Sequence, residues 1–300
     1  MKQYFIFLIL IIFLYSCSDS YINVPHMIAY CPYINVRVWI EENEIDLTPL
    51  KTVEAQPPLI FISFDEITCQ LWAFLYPGDN KYIYFYNINK GIVDVNEKIY
   101  IERAEKFGLC KRIYNNKVLY TVDNKNYEII DLGTKNKEYF VISDIDGKLP
   151  IGHSHNPLGF SNDKVIFLNG YYDILEQNYY FFNDLKYPRF IAKEEKVIGL
   201  NNDNYIIIYD LKNNRYENTA IKRKMSNYSK YSGDDLYFLE NNRLFFSEDI
   251  HGLDKIIGMF LPIWYSRRKW YAYDLQEQKL SKFSTPGDTV ILMGIYDDTR

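Results

Sequence analysis

The sequence predicts an all-β protein built from a repeated strand unit. Aromatic residues make up 17% of the 300-residue chain, which includes 29 Tyr, and Tyr and Phe favour strands. Asn occurs in pairs at 115–116, 201–202, 213–214 and 241–242, and Asn tolerates the left-handed conformation that many hairpin loops need. Because 48% of the residues are hydrophobic, a sizeable core can form.

The repeated unit is an apolar strand, a turn, and an aromatic strand that ends in Asp-Leu or a near equivalent. The aromatic strands are predicted at 82–88, 127–132, 179–185, 205–211 and 270–275, with a weaker copy at 243–247. Their apolar partner strands are predicted at 71–76, 118–122, 165–168, 197–200 and 236–239.

This repetition favours a β-propeller over other all-β folds. A small sheet with two apolar faces can bury both only by stacking on neighbouring sheets, and the continuous apolar run 206–208 suits a strand covered on both sides. We expect one propeller-like domain over residues 31–300, with six blades and with five or seven as alternatives. The copies are unevenly spaced, which leaves the blade number open.

The N-terminus has the pattern of a secretion signal. Lys2 supplies a positive charge, and residues 4–15 form an unbroken apolar or aromatic run of the length of a signal core. As a helix this run spans about 18 Å, which is too short to cross a bilayer. Residues 1–16 are therefore predicted to be a signal peptide and not a permanent transmembrane helix.

The end of this segment resembles the bacterial lipobox. Leu14, Ser16 and Cys17 fit its pattern, whereas Tyr15 is bulkier than usual. The resemblance implies cleavage between Ser16 and Cys17 and attachment of lipid to the Cys17 thiol, and two or three acyl chains hold a protein stably. Residues 17–30 are then a lipidated tether. An ordinary signal peptide or a buried N-terminal strand are the alternatives.

With the repeats, this N-terminus resembles the β-propeller lipoproteins of Bacteroidetes-like bacteria. The likeness to propeller blades rests on the Tyr/Trp-x-Tyr-Asp-Leu strands and covers about residues 60–285, without a WD, kelch or Asp-box motif. Ser18 follows the lipidated Cys17, and by resemblance to Gram-negative lipoproteins this implies the outer membrane, on its periplasmic or surface face. The membrane is the first expected partner, through the lipid.

Charge and cysteine content exclude several classes. A net charge of −5 gives no general attraction to nucleic acid, and the basic runs 222–224 and 267–269 are interpreted as solvated loops. After lipidation, Cys31, Cys69 and Cys110 remain, which allow at most one internal disulfide. They form no CxxC pair, so a structural zinc site is disfavoured.

Two motifs resemble metal sites. His153 and His155 are two residues apart, so on a strand their side chains would share one face and could bind one metal ion. Gly and Pro flank them, however, so we interpret them as part of a surface loop. Residues 144–147, Asp-Ile-Asp-Gly, resemble part of a calcium loop without its remaining carboxylates, and a hairpin turn is the better interpretation. No metal and no cofactor is predicted.

No catalytic residue is assigned from the sequence. A glycosidase needs two carboxylates facing each other across about 5–9 Å, and the candidates are Asp65, Glu66, Asp94, Asp163 and Asp173. A turn or surface role is the simpler interpretation of each. No Gly-x-Ser-x-Gly, P-loop or dinucleotide motif occurs. The four Trp residues, at positions 39, 72, 264 and 270, are predicted to be structural.

Two functions remain. The first is a membrane-anchored, non-enzymatic binding module of the cell envelope, with an envelope protein or a glycan as ligand. The second is an envelope hydrolase, perhaps acting on glycans, with carboxylates at the mouth of the propeller channel. Carboxylates that converge at the mouth favour the enzyme, and a mouth of aromatic and Asn side chains favours binding.

Overall fold

The computed structural model describes fourteen segments, and every structural statement below refers to these residues. They are 21–22, 27–31, 37–40, 43–45, 47–51, 59–76, 82–89, 92–102, 108–121, 126–142, 157–223, 237–249, 268–283 and 291–295.

The described segments are almost entirely β-strands, which form six sheets. Four sheets are built from consecutive strands only. Sheet 1 contains β5 (Leu59–Asp65), β6 (Gln70–Tyr76), β7 (Tyr82–Asn89) and β8 (Ile92–Glu102). Sheet 2 contains β9 (Gly108–Tyr114), β10 (Lys117–Thr121), β11 (Asn126–Asp131) and β12 (Lys137–Val141). Sheet 3 contains β13 (Gly159–Phe160), β14 (Lys164–Phe167), β15 (Gly170–Asp173) and β16 (Asn178–Phe181). Sheet 4 contains β17 (Lys186–Ile191), β18 (Lys196–Leu200), β19 (Tyr205–Asp210) and β20 (Arg215–Lys222).

The other two sheets include strands from the N-terminus. Sheet 5 contains β21 (Tyr237–Glu240), β22 (Arg243–Asp249), β23 (Arg268–Asp274) and β24 (Lys279–Phe283), with β1 (Tyr21–Ile22) at its outer edge. Sheet 6 contains β25 (Ile291–Ile295), β2 (Met27–Cys31), β3 (Arg37–Ile40) and β4 (Asn43–Ile45). The single described helix, α1 (Thr48–Lys51), follows β4.

The first strands of the six sheets form a closed ring. Strand β5 contacts β9, β9 contacts β13, β17 contacts β21, β21 contacts β25, and β25 contacts β5. Between β13 and β17, the Phe190 side chain lies so close to Gly159 that a Cβ on the glycine would overlap it. Sheets arranged radially around such a ring make a propeller, so the predicted all-β propeller is confirmed.

The two ends of the chain meet in sheet 6. Strand β25 pairs with β2, with Met27 opposite Ile295, and β2 pairs with β3. Strand β1 pairs in parallel with β24 in sheet 5. Strand β1 and all of β2 except Cys31 lie within 17–30, the segment predicted as a tether, so the sheets begin before residue 31. The sequence pattern missed them because neither strand carries the repeated motif.

Four of the six predicted aromatic strands occupy the same position in their sheets, and two do not. The copies at 82–88, 127–132, 205–211 and 270–275 overlap β7, β11, β19 and β23, the third strands of their sheets. The copy at 179–185 overlaps β16, an outer strand, because Tyr171-Tyr172-Asp173 in β15 matches the pattern equally well. The copy at 243–247 lies in β22, next to β23 in the same sheet. The six copies therefore mark five sheets, and sheet 6 carries none.

A recurrent turn explains the aspartate of the repeat. In four sheets the Asp that ends the third strand accepts a backbone N–H two or three residues later; for example, Asp210 Oδ1 accepts from Lys212 N and Asn213 N, each at 2.9 Å. The residue four positions after the Asp has a positive φ, 50° at Asn214 and 55° at Gln278. This is the geometry of a four-residue hairpin loop, so the motif encodes a turn.

All four predicted Asn pairs lie in loops between consecutive antiparallel strands, as expected for hairpins. Asn115 and Asn116 have φ of 50° and 59°, as do Asn241 and Asn242, which fits two-residue turns with both residues left-handed. They join the first and second strands of sheets 2 and 5.

Aromatic and aliphatic side chains fill the spaces between neighbouring sheets. One cluster joins Tyr127 and Ile129 of sheet 2 to Val165 and Phe167 of sheet 3. Another joins Ile206 and Ile208 of sheet 4 to residues of sheet 5. Of the residues described, none belongs to a helix long and apolar enough to span a membrane.

Candidate functional site

Glu66 lies at the centre of the ring and contacts the opposite side. It follows β5 of sheet 1, and its Oε2 accepts a hydrogen bond from the backbone N–H of Lys193 at 3.2 Å. Lys193 follows β17 of sheet 4, which is three sheets away in the ring. Since these two turns meet, the ring is narrow at this end. Glu66 is only 6% exposed.

Two arginines accompany Glu66, both from first strands. Arg112 of β9 places Nη1 3.9 Å from Glu66 Oε1. Arg189 of β17 is 2% exposed, and its Cζ lies 5.4 Å from the ring centroid of Phe238 in β21, a distance that permits a cation–π interaction. The inner strands therefore deliver two guanidinium groups to one buried carboxyl.

An ion pair completes this group of charges. Lys193 Nζ lies 2.5 Å from Oε1 of Glu240, the last residue of β21. We call Glu66, Arg112, Arg189, Lys193 and Glu240 the central ionic cluster. Its members come from sheets 1, 2, 4 and 5, and it carries three positive charges against two carboxyl groups.

The environment of Glu66 favours its protonated form. Burial raises the pKa of this carboxyl above its ordinary value and is the strongest influence. The charges of Arg112 and Arg189 and the N–H of Lys193 lower the pKa, whereas Glu240 raises it further. Desolvation outweighs the two arginines because a carboxylate removed from water loses its hydration.

The space beside the cluster is very small. A cavity of about 10 Å³ is lined by Glu66 and Arg112 and by apolar or aromatic side chains of β5, β9, β13 and β17, among them Phe64, Phe160 and Phe190. Holding one water molecule takes roughly this volume. Glu66 Oε1 is buried here without a hydrogen bond, which a single water would satisfy. A sugar or peptide group does not fit.

The cluster can exchange a proton but offers no nucleophile and base in contact. A buried carboxyl with a raised pKa has the property of a general acid, but its neighbours are cations and one carboxylate that is itself paired. Within the described segments, no group of three or more His, Cys, Asp or Glu side chains could hold a metal ion.

Asp65, a second predicted candidate, joins two sheets. Its side chain is fully buried and accepts the backbone N–H groups of Ile67 at 3.1 Å and Thr68 at 3.4 Å in its own turn. It also accepts those of Asn115 at 3.0 Å and Asn116 at 2.7 Å in sheet 2. This carboxylate has a structural role.

Asp163 and Asp173 lie together in sheet 3, where Lys164 separates their charges. Lys164 Nζ is 2.5 Å from Asp163 Oδ2 and 3.7 Å from Asp173 Oδ2. Although burial would raise the pKa of Asp163, hydrogen bonds from Lys164 and Ser161 lower it overall. Asp173 also caps its turn. Neither residue belongs to the central ionic cluster, and the side chain of Asp94 lies outside the described part of the protein.

Several other predictions fall on residues that are not described. Ser16, Cys17, His153, His155 and the segment 144–147 lie outside the described segments, so they stay predictions. So do the side chains of Cys31 and Cys110, whereas Cys69 is buried and free.

Three further side chains have defined roles. Trp72 and Trp270 are buried in the core, as predicted. Arg223, predicted to lie in a solvated loop, is instead 1% exposed, and its Nε donates to the carbonyl of Ser247 at 2.7 Å. The solvated interpretation of 222–224 is therefore wrong for its central residue, because this arginine connects sheets 4 and 5.

Sequence reasoning found Glu66 but missed the rest of the cluster. Arg112, Arg189, Lys193 and Glu240 are far apart in the chain, and no local spacing relates them. A weak signal did exist, since Arg189 precedes Phe190-Ile191 and Arg112 precedes Ile113 within first strands, although each strand also carries a lysine. Because a buried charge must be paired, an arginine beside apolar residues in an inner strand indicates a charged partner within the ring.

Comparisons with known proteins do not identify a function. No protein-family model matches the sequence, and no curated protein matches it. Solved structures with similarity include the β-propeller domain of Cps50 (Swd1) from Myceliophthora thermophila, at 9% identity over 87% of this chain and 84% of that one, with a TM-score of 0.42.

Two further similar structures are longer than the region they share with this chain. Hsv2 of Kluyveromyces marxianus is 10% identical over 73% of this chain and 62% of its own, with a TM-score of 0.43. The extracellular domain of a one-component system from B. thetaiotaomicron is 10% identical over 89% of this chain and 35% of its own, with a TM-score of 0.42. At these identities and TM-scores, the likenesses carry no conclusion about function.

Proposed function

We propose that this protein is a lipid-anchored β-propeller of a bacterial cell envelope that binds a partner or ligand without catalysing a reaction. The anchor is supported by Lys2, the apolar run 4–15 and the lipobox residues Leu14, Ser16 and Cys17. Its place is the outer membrane, on the periplasmic or surface face, and its ligand is an envelope protein or a glycan. The net charge of −5 disfavours nucleic acid as a ligand.

The observation that carries a non-enzymatic role is the state of the candidate carboxylates. Asp65 accepts four backbone N–H groups, and Asp163 and Asp173 share Lys164. Glu66 borders a cavity of about 10 Å³, which is far below the 300–1,000 Å³ of an ordinary ligand pocket. This cavity is therefore too small to hold a sugar or peptide ligand, which would bind elsewhere on the propeller.

The number of blades belongs to the same proposal. We assign one blade to each of the six sheets, with the sixth closed by β25 and the N-terminal strands. Contact between the first strands in ring order supports this assignment.

A hydrolase is the second candidate, and Glu66 is the observation in its favour. Its burial and raised pKa are properties of catalytic acids. Against this, the second carboxyl of the cluster, Glu240, is paired with Lys193 at 2.5 Å. The test is to incubate the purified mature chain with a panel of glycans and peptides. Cleavage by the wild type, with a rate at least about 100-fold lower for Glu66→Gln, would establish the hydrolase and refute the binding module.

The anchor is tested by palmitate labelling in a bacterial host. We expect Cys17→Ala to abolish labelling, because the thiol is the site of attachment, and Ser18→Ala, the matched control, to keep it. Label that persists in Cys17→Ala would refute the lipoprotein assignment. Capture of one defined envelope component by the anchored wild-type protein, without its chemical change, is the result expected for a binding module.

A further inference from the structure

Strand β1 fixes the N-terminus to one side of the propeller. Tyr21 pairs with Lys282 and Ile22 with Phe283, in parallel, at the outer edge of sheet 5. Sheet 5 is the only one of the described sheets with a fifth strand. The first described strand therefore lies at the rim of the ring, in one blade.

The distance from this rim to the lipid is short. Cys17 precedes Tyr21 by four residues, and four extended residues span at most about 14 Å. A compact domain the size of residues 17–300 has a radius of gyration of about 19 Å. The reach of the segment is smaller than this radius, so a lipid on Cys17 cannot hold the opposite side of the propeller near the same membrane.

The exposed part of this rim combines an apolar and a cationic side chain. Strand β1 covers only Lys282 and Phe283 of β24. The preceding Leu280 is 51% exposed, and Lys279 beside it is exposed as well. An apolar side chain next to an ammonium group suits the boundary between acyl chains and phosphate head groups.

We propose that the outer edge of sheet 5, at Lys279 and Leu280, faces the phospholipid surface, so that the propeller stands on this edge. The proposal rests on the lipid anchor of the proposed function. It places sheet 2, on the opposite side of the ring, farthest from the bilayer.

Sheet 2 supplies the matched control. Tyr139 lies in β12, the outer strand of that sheet, and is 69% exposed. Leu280 and Tyr139 thus lie in the fourth strands of sheets on opposite sides of the ring, and both are open enough to carry a probe.

The test uses photo-cross-linking of the full-length, processed protein in bacterial membranes. Benzoylphenylalanine replaces either Leu280 or Tyr139, and phospholipid adducts are quantified by mass spectrometry after irradiation. We expect at least about fivefold more adduct from position 280. Equal yields, or a higher yield from position 139, would overturn the orientation. If the position-280 variant does not fold, position 279 carries the probe.

A second arm tests the tether itself. Insertion of 20 Gly/Ser residues after Asp19 adds a root-mean-square length of about 25 Å, which exceeds the radius of the domain. The adduct yield at position 280 should then fall to the level of position 139, and an unchanged yield would refute a short tether as the cause. Palmitate labelling is measured in every sample. Its absence from wild type refutes the anchor, whereas labelling with equal adduct yields refutes only the orientation.

Discussion

Replacing Asp65 by Ala should destabilise the protein more than any other change to a turn aspartate in the described sheets. The substitution deprives the backbone N–H groups of Ile67, Thr68, Asn115 and Asn116 of their acceptor, at distances between 2.7 and 3.4 Å. Leaving a buried donor unsatisfied costs about 1–3 kcal/mol. Because water reaches part of the opened turn, we expect a total loss of about 3–5 kcal/mol, a large share of a stability of roughly 5–15 kcal/mol.

The matched control is Asp131→Ala. Asp131 caps its own turn through Thr134 N at 2.7 Å, and this hydrogen bond is exposed, so water replaces it. We expect a loss of no more than about 1 kcal/mol. Asp65→Asn keeps one acceptor oxygen and should fall between the two Ala variants.

The assay is urea unfolding of the mature chain, followed by far-ultraviolet circular dichroism and by Trp fluorescence. The two probes should give one transition, and the free energy of unfolding is compared at equal m-value. If Asp65→Ala and Asp131→Ala shift the midpoint equally, the contact between sheets 1 and 2 contributes nothing, and the reasoning fails.

Three further predictions concern pH, packing and redox state. Because burial raises the pKa of Glu66 above 4.5, wild-type stability should fall as pH rises from that value through the raised pKa. The stability of Glu66→Gln relative to wild type, measured by urea unfolding, should therefore increase as the pH is raised above 4.5, and a constant difference would contradict this. A Cβ on Gly170 would overlap the carbonyl of Tyr180 and lie 2.7 Å from the Tyr179 ring. We therefore expect Gly170→Ala to lower the free energy of unfolding by about 1–3 kcal/mol or more. A similar loss for Gly133→Ala, where a Cβ would have no closer contact than 3.4 Å, would argue against the packing explanation. Reductant should barely change the melting temperature, and a drop of more than about 10 °C would show a structural disulfide.

The fold was predictable because the local signals repeat. The Tyr-x-Tyr-Asp-Leu run at 271–275 is typical of the pattern: alternate side chains pack on both faces, Asp274 caps the turn, and Leu275 N donates to Asn242 O at 3.0 Å. The turn and the backbone hydrogen bond join residues within one sheet, so the local sequence predicts them. Where the motif was ambiguous, as between Tyr172 and Tyr179, the choice failed because both strands satisfy it.

The site was less predictable because it joins different sheets. Glu66 is a candidate from the sequence because it is a carboxylate, but its raised pKa depends on burial that only the closed ring produces. Its hydrogen bond to Lys193 spans 127 residues of sequence. Likewise, no local pattern in residues 21–31 predicts that they pair with sheets 5 and 6, because the strands with which they pair, β24 and β25, lie at the other end of the chain.

The pairing of Met27 with Ile295 has a consequence for folding. The ribosome synthesises β2 early and its ring-side partner β25 nearly last. Sheets 1 to 4 can form as the chain grows, but the circle cannot close until synthesis is almost complete. Contacts this distant in sequence also slow folding. The edge of β2 that pairs with β25 stays open to unwanted strand pairing during that interval, so a chaperone has the most to protect near the N-terminus.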